Sequence, residues 1–326
     1  MRVGIVGLGG IAAMHICSYE RIKGVEIVAA ADALGEQARS YSLIKDSGVR
    51  IYTDFDVMIK NESLDLIDIC APTHLHESLA IKALNAGLHV ICEKPMAQSS
   101  EGALRIAEAA RSADKIFMTA QVIRFSSPYK YLAKLIKEKT LGNLVSLSTK
   151  RLSTIPEWRL GSMLTDATEN GGVMIDLAIH DIDFIYSCLG EPDRICGVYH
   201  PVSKESVDNY VCANLTYGSA TVNLLSGFYV AKIPFTCGFF AIFEKGYLSF
   251  IDGRLVENQK ELREVDEIYP GEHEGINIEM SSCFVEEIEY FIECVKCGIK
   301  TERALPESTA GSLALAERIK RETLKL

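Results

Sequence analysis

The chain has 326 residues, 48% of them hydrophobic, with a formal charge of -10 at pH 7 and a pI near 5.3. That length suits two domains, and the apolar fraction excludes a wholly disordered chain. The acidic balance argues against nucleic acid and anionic membranes as partners, and no apolar run reaches transmembrane length.

Met1 leads directly into an apolar run, Arg2–Val6, with no basic leader and cleavable hydrophobic region, so a cytoplasmic protein is expected. The first third then alternates strand and helix. A helical stretch, Ile11–Ile22, precedes a second apolar run, Val25–Ala31, ending at Asp32. Buried strands follow at Leu64–Ala71, Leu88–Cys92 and Ile116–Val122, with helices at Leu75–Ala86 and Ser99–Ala113. Apolar strands separated by helices indicate a parallel sheet covered on both faces. After a helix at Tyr129–Lys137 the pattern changes. Strands at Leu144–Arg151, Arg194–His200, Tyr210–Thr216, Ala220–Phe228, Phe235–Phe243 and Tyr247–Ile251 are mostly joined by short turns, which predicts a mostly antiparallel sheet. One helical segment, Gly172–Cys188, interrupts them, and two helices close the chain near Ser282–Cys297 and Ser308–Thr323. The expected architecture is α/β: a doubly wound parallel sheet over 1–124, then an α/β domain with a large, open, mostly antiparallel sheet over 125–326.

The first strand ends in Gly7-Leu8-Gly9-Gly10-Ile11-Ala12, a GxGxxG/A pattern. The first glycine permits a tight turn, the second lets backbone approach a pyrophosphate, and the small third residue packs helix on strand. The N–H groups of Gly10 and Ile11 open the helix toward the phosphates. Asp32 closes the second strand about 20 residues on, where a carboxylate binds ribose hydroxyls and repels a 2′-phosphate; this predicts NAD over NADP. Two more loops lie at carboxyl ends of strands, where doubly wound sheets bind ligands. One carries Ala71-Pro72-Thr73 with His76, the other Glu93-Lys94-Pro95.

Together with Gly171-Gly172-Val173-Met174-Ile175-Asp176-Leu177-Ala178-Ile179-His180-Asp181-Ile182-Asp183, these pieces resemble the Gfo/Idh/MocA oxidoreductase family, in order and spacing along the whole chain. The resemblance implies an N-terminal Rossmann domain and a C-terminal substrate and oligomerisation domain. It also implies hydride transfer on sugars, inositols or related alcohols, in a homodimer or dimer of dimers. His74 and Gln121 stand where that family often has Asn; Gln121 remains a candidate cofactor contact.

Helix 172–188 is apolar nearly all round. At about 100° per residue, Asp176, His180, Asp183 and Ser187 fall in one narrow stripe. Such a seam on a buried helix marks either a lined cavity or an internally satisfied Asp–His pair. With the resemblance, His180 is assigned as the base taking the hydroxyl proton, and Asp176 as the group orienting hydroxyl or imidazole. Lys94 is assigned to bind the substrate oxygen and stabilise alkoxide, and the final proton acceptor is either His180 or Lys94. Arg124 is a candidate substrate contact, and Trp158 and Arg159 are candidates for the cofactor mouth.

Two other functions compete. His74-x-His76 and His180-Asp181 could ligate metal in a lyase or hydrolase, but that leaves the glycine fingerprint unexplained, and no metal is expected; a redox-neutral variant would use NAD as a transient oxidant. A non-catalytic dinucleotide-sensing regulator could dispense with Lys94, Asp176 and His180, yet all three are present. Cys294 and Cys297 form a CxxC with no second pair, within a helical pattern, and are expected to be structural.

Overall fold

The computed structural model describes residues 1–38, 40–155, 171–203, 207, 209–263, 266 and 281–326. The chain divides into two compact units, Met1–Phe125 with Glu267–Ala310 and Ser126–Asp266 with Gly311–Leu326.

The first unit is built on six strands: β1 (Arg2–Val6), β2 (Glu26–Ala31), β3 (Arg50–Tyr52), β4 (Leu66–Ile69), β5 (His89–Glu93) and β6 (Phe117–Ala120). All pairs are parallel, in the order β3-β2-β1-β4-β5-β6. This is the doubly wound order whose switch point lies between β1 and β4. Four helices connect the strands: α1 (Gly10–Tyr19), α2 (Phe55–Asn61), α3 (Thr73–Asn85) and α4 (Ser100–Ser112). Two have side-chain N-caps. Asp54 accepts from the Val57 amide and Ser99 from that of Gly102; such caps are worth about 1 kcal/mol each. β3 and α2 escape the sequence reading because each is short, three and seven residues.

Among the described residues of the second unit, α5 (Ser127–Glu138), α6 (Gly172–Asp176) and α7 (Ile179–Leu189) accompany nine strands. These are β7 (Leu144–Thr154), β8 (Arg194–His200), β9 (Asn209–Tyr217), β10 (Ala220–Tyr229), β11 (Thr236–Phe243), β12 (Gly246–Ile251), β13 (Arg254–Glu257), β14 (Lys260–Leu262) and β15 (Leu324–Lys325). Their order is β14-β13-β12-β11-β7-β10-β9-β8-β15. Pairing is antiparallel except at β7–β10 and β8–β15, so the expected mostly antiparallel sheet is present. Along β10 the even positions Ala220, Val222, Leu224, Ser226 and Phe228 are buried, while Thr221 on the other face is exposed. That is the period-2 pattern of a sheet with one covered face. The Tyr129 ring on α5 makes edge contacts with Phe184 of α7 and Phe239 of β11.

One expectation needs correction. The sequence reading placed everything after residue 124 in one C-terminal domain. The structure returns α8 (Ser282–Cys297) and the segment after it to the first unit. Phe284, Ile288, Phe291 and Ile292 of α8 join a buried cluster with Val3, Ile5, Met14 and Ile16; burying such side chains contributes roughly 1.5–3 kcal/mol each. Thr301 Oγ1 donates to the Phe117 carbonyl at 3.1 Å, and the Thr309 and Thr119 hydroxyls meet at 3.1 Å. An amphipathic pattern announces a face to bury; it does not say against which sheet. α9 (Pro306–Glu322) follows. Among the described residues no helix is long and apolar enough to cross a membrane.

Candidate active site

The glycine loop forms where β1 hands the chain to α1. Gly7 has φ +87°, and a Cβ there would fall 2.7 Å from the Ala71 backbone, so the β1 and β4 loops approach only because residue 7 is glycine. Gly9 differs: it is exposed, and a Cβ on it would meet nothing within 4 Å. The protein's own packing does not require glycine at position 9, whereas a pyrophosphate lying against the backbone would. Gly9 caps α1 without a side-chain hydrogen bond, and no acidic residue stands in the first turn, so neither competes with an anion there. Asp32 accepts from the Leu8 amide at 2.7 Å with one oxygen and from the Leu34 amide at 2.8 Å with the other. Each oxygen keeps a further lone pair for a hydroxyl. Ser40, which sequence reasoning passed over, donates its hydroxyl to the Gly9 carbonyl at 2.6 Å and its amide to that of Leu8 at 2.9 Å. No motif marks it. These features fit a dinucleotide.

The loops after β4 and β5 are joined by a buried histidine. The Nδ1 of His76 lies 2.7 Å from the Pro95 carbonyl and its Nε2 2.7 Å from that of Ala71. Burial pushes the His76 pKa down against the pull of these carbonyls. With both nitrogens engaged and 1% of its surface exposed, His76 braces the two loops through its ring. Pro72 is exposed and Ala71 and Thr73 half-buried at the start of α3.

Glu93, also assigned to the cofactor, is 6% exposed. One carboxylate oxygen accepts from the Lys94 amide at 2.9 Å and the other lies 3.1 Å from His15 Nε2, so Glu93 points into the protein. His15 Nδ1 in turn sits 2.8 Å from Asp68 Oδ2. Ligand atoms of His15, Asp68 and Cys70 lie within 4.8 Å of one another, a grouping the sequence did not suggest. Lys94 itself is half-buried at the end of β5. Gln121, just past β6, is 2% exposed and its side-chain oxygen has no hydrogen-bond partner among the described residues. A buried orphan acceptor at the carboxyl end of a strand is what a ligand amide or hydroxyl would satisfy. Arg124 donates to the Arg303 carbonyl at 2.6 Å and to the Ser308 hydroxyl at 3.1 Å, a tether to the C-terminal segment that the sequence did not foresee for a substrate contact. Trp158 and Arg159 lie outside the described residues.

In the second unit, Gly171 and Gly172 both have positive φ, and a Cβ on Gly171 would strike the Ile175 side chain at 2.0 Å. The helix expected over 172–188 is two helices. The Leu177 and Ala178 amides both reach the Val173 carbonyl, at 3.1 and 2.7 Å, so the spiral widens after Asp176 before α7 begins. Asp176 ends α6, half-buried, and His180 lies in the first turn of α7, 7% exposed. The inferred stripe divides further: Asp183 accepts from the Ser312 hydroxyl at 2.7 Å, and Ser187 is exposed. Next to His180, Asp181 is clamped by Arg151 of β7, Nε to Oδ2 at 2.8 Å and Nη2 to Oδ1 at 3.2 Å, with the Tyr129 hydroxyl 3.3 Å from that Nη2. This buried ion pair pins the helix carrying His180 to its own sheet.

A family model described as an oxidoreductase family with an NAD-binding Rossmann fold matches residues 1–121, and a Gfo/Idh/MocA C-terminal domain model matches residues 129–249. The chain belongs to the Gfo/Idh/MocA family. Its first unit is the NAD-binding Rossmann fold of that family, and the chain is an oxidoreductase. It is similar to the 1,5-anhydro-D-fructose reductase of Ensifer adhaerens, at 25% identity over 79% of this chain and 77% of that one. It is 27% identical to the myo-inositol 2-dehydrogenase of Thermotoga maritima over 59% of this chain and 55% of the relative, little more than half of that protein. Among Gfo/Idh/MocA folds already solved, a myo-inositol 2-dehydrogenase from Lactobacillus plantarum superposes with a TM-score of 0.79 at 24% identity, covering 99% of this chain and 96% of that one. An Agrobacterium radiobacter oxidoreductase in complex with NAD+, L-tartaric acid and magnesium gives 0.83 at 17%, with the same coverage. The ten cysteines form no disulfide with one another, and Cys294 and Cys297 both sit on α8.

Proposed function

We propose that the chain is an NAD-dependent dehydrogenase acting on a CH–OH group of a small sugar, polyol or cyclitol. The observation that carries this reading is the buried His180, set in the first turn of a helix pinned by the Arg151–Asp181 pair, in a chain that also has the Asp32-closed glycine loop. Relatives named as inositol, glucoside and anhydrofructose enzymes support the substrate class. When bound, NAD supplies the hydride acceptor. Asp32 holds the adenosine ribose and Gln121 accepts from the cofactor or substrate. Lys94 stabilises the developing alkoxide, His180 takes the hydroxyl proton, and Asp176 orients that exchange.

A homodimer through the outer face of the second sheet is part of the same proposal. Val145, Phe240 and Ile242 are 43%, 38% and 42% exposed, and Phe240 stacks on Tyr247 at 5.4 Å; an apolar patch of this kind favours a second copy. A cytoplasmic location is also proposed. The test is NADH formation across inositols, hexoses, sugar acids and amino sugars. Reduction with at least one class supports the reading. Product formed without net NADH would replace it with a redox-neutral reaction, and NAD binding with no turnover on any class would leave a sensor.

A further inference from the structure

Beneath the glycine loop lies a polar network that the proposed chemistry does not use. His15 on α1 bridges Asp68 on β4 and Glu93 on β5, 53 and 78 residues away along the chain. The three are 0%, 0% and 6% exposed. Asp68 takes a further hydrogen bond from the Cys70 thiol at 3.5 Å, and Glu93 takes the Lys94 amide at 2.9 Å. We propose that His15 is a positioning residue for Lys94: as an imidazolium shared by Asp68 and Glu93, it locks Glu93 under the Lys94 backbone amide and so fixes where β5 releases that side chain. This rests on the reading of Lys94 as a catalytic group.

Hydrogen-bond direction sets the protonation state. The neighbours of both ring nitrogens are carboxylate oxygens. Each carboxyl group also accepts a second hydrogen bond, Glu93 from the Lys94 amide and Asp68 from the Cys70 thiol. A neutral imidazole would turn one lone pair against a carboxylate at hydrogen-bond distance, so both nitrogens donate. Burial alone would lower the His15 pKa, but the Asp68 carboxylate and the Cys70 side chain hold it well above its ordinary value. The other titratable groups near this network are Tyr19, one turn along α1, Cys70 just past β4, His76 on α3, Cys92 on β5, Lys94 beside Glu93, and Glu287 on α8. His15 is the ring set between Asp68 and Glu93, with one nitrogen toward each. A buried carboxylate left without its partner is strongly unfavourable; it picks up a proton or turns away.

His15 cannot touch a substrate. Its influence passes through Glu93 to the peptide between β5 and Pro95, whose carbonyl is held by His76. Displacement of a reacting group by about 1 Å is enough to cost roughly 10²-fold in rate.

The test uses the full chain with NAD and the substrate found by the screen. His15→Gln is expected to lower kcat by about 10- to 100-fold and to move the pH profile of kcat, while the Kd for NAD stays within about threefold and KM changes little. A group that merely filled space would change stability and leave the pH profile alone. Lys94→Met is measured alongside. If Lys94→Met keeps wild-type turnover, the catalytic reading of Lys94 has failed and His15 has nothing to position. If Lys94→Met is inactive while His15→Gln keeps wild-type kcat and pH profile, the positioning role alone is wrong. Should His15→Gln not fold, Asp68→Asn keeps the histidine and removes one charge, with the same direction expected and the same result decisive. Independently, nitrogen-15 NMR of the wild-type histidines must show both His15 ring nitrogens protonated at mildly alkaline pH. A bare nitrogen there would overturn the proposal.

Discussion

Replacing Asp32 with Asn separates the charge of this side chain from its shape. The carboxylate accepts from two backbone amides, at 2.7 and 2.8 Å, and Asn keeps one oxygen for that task. The variant should fold with its glycine loop in place. It loses the charge that selects between cofactors. A 2′-phosphate placed about 5 Å from the carboxylate, at an effective dielectric of about 20, is repelled by about 3 kcal/mol per unit charge before screening. Solvent at the half-exposed site reduces that to about 1–2 kcal/mol, or roughly 5- to 30-fold. The two ribose hydroxyls lose charge-assisted hydrogen bonds worth about 1.5–3 kcal/mol to charged groups in general. Calorimetric titration of the wild-type chain should therefore show NAD bound at least about fivefold more tightly than NADP. Asp32→Asn should weaken NAD by about tenfold and tighten NADP by a similar factor. Equal wild-type affinities, or a variant that shifts both cofactors alike, would show that Asp32 serves only to clamp the loop.

Gly7→Ala forces a side chain into φ +87° and against the Ala71 backbone, so NAD affinity should fall by at least about tenfold together with Tm; calorimetry and thermal melting check both. Arg151→Met should destabilise by about 3–5 kcal/mol because it strands the buried Asp181, and Arg151→Met/Asp181→Leu should recover most of that in urea melts. Burial and the Asp68 carboxylate push the Cys70 thiol up to about 12. In the native protein it should resist iodoacetamide at pH 8 while Cys196 and Cys297, both exposed, react; mass spectrometry reads the difference. His15 is protonated when folded and neutral when unfolded between its ordinary 6.5 and its higher folded value. Its stabilisation is complete below pH 6.5 and is lost as pH rises through that folded value, with unfolding releasing a proton in between. The urea midpoint of wild type should fall over this window by a component that His15→Gln lacks.

The first sheet was legible because its strands are continuous apolar runs and its glycine loop carries a backbone requirement that only glycine meets. Elements whose signal is local were read nearly to the residue, as with Arg194–His200 and Ser282–Cys297. What stayed hidden is long-range. Nothing near His15 shows that it will meet Asp68 and Glu93, and nothing near His76 shows that its ring will bridge the Ala71 and Pro95 carbonyls. The widening after Asp176 has no sequence mark either, because every residue from Val173 to Ala178 except Asp176 is apolar and equally suited to an unbroken helix. Gln121 was found through a family position, and its orphaned oxygen supplies the physical reason for looking there.

The central claim is direct hydride transfer from a carbinol carbon to NAD. It is tested by supplying the substrate found in the screen with deuterium on that carbon and following the nicotinamide by NMR. Deuterium should appear at the nicotinamide C4 on one face only, with no loss to solvent, and the rate should fall by about 10²- to 10⁴-fold in His180→Asn with NAD affinity retained. Deuterium washed into water, or unlabelled NADH formed at the wild-type rate, would contradict it.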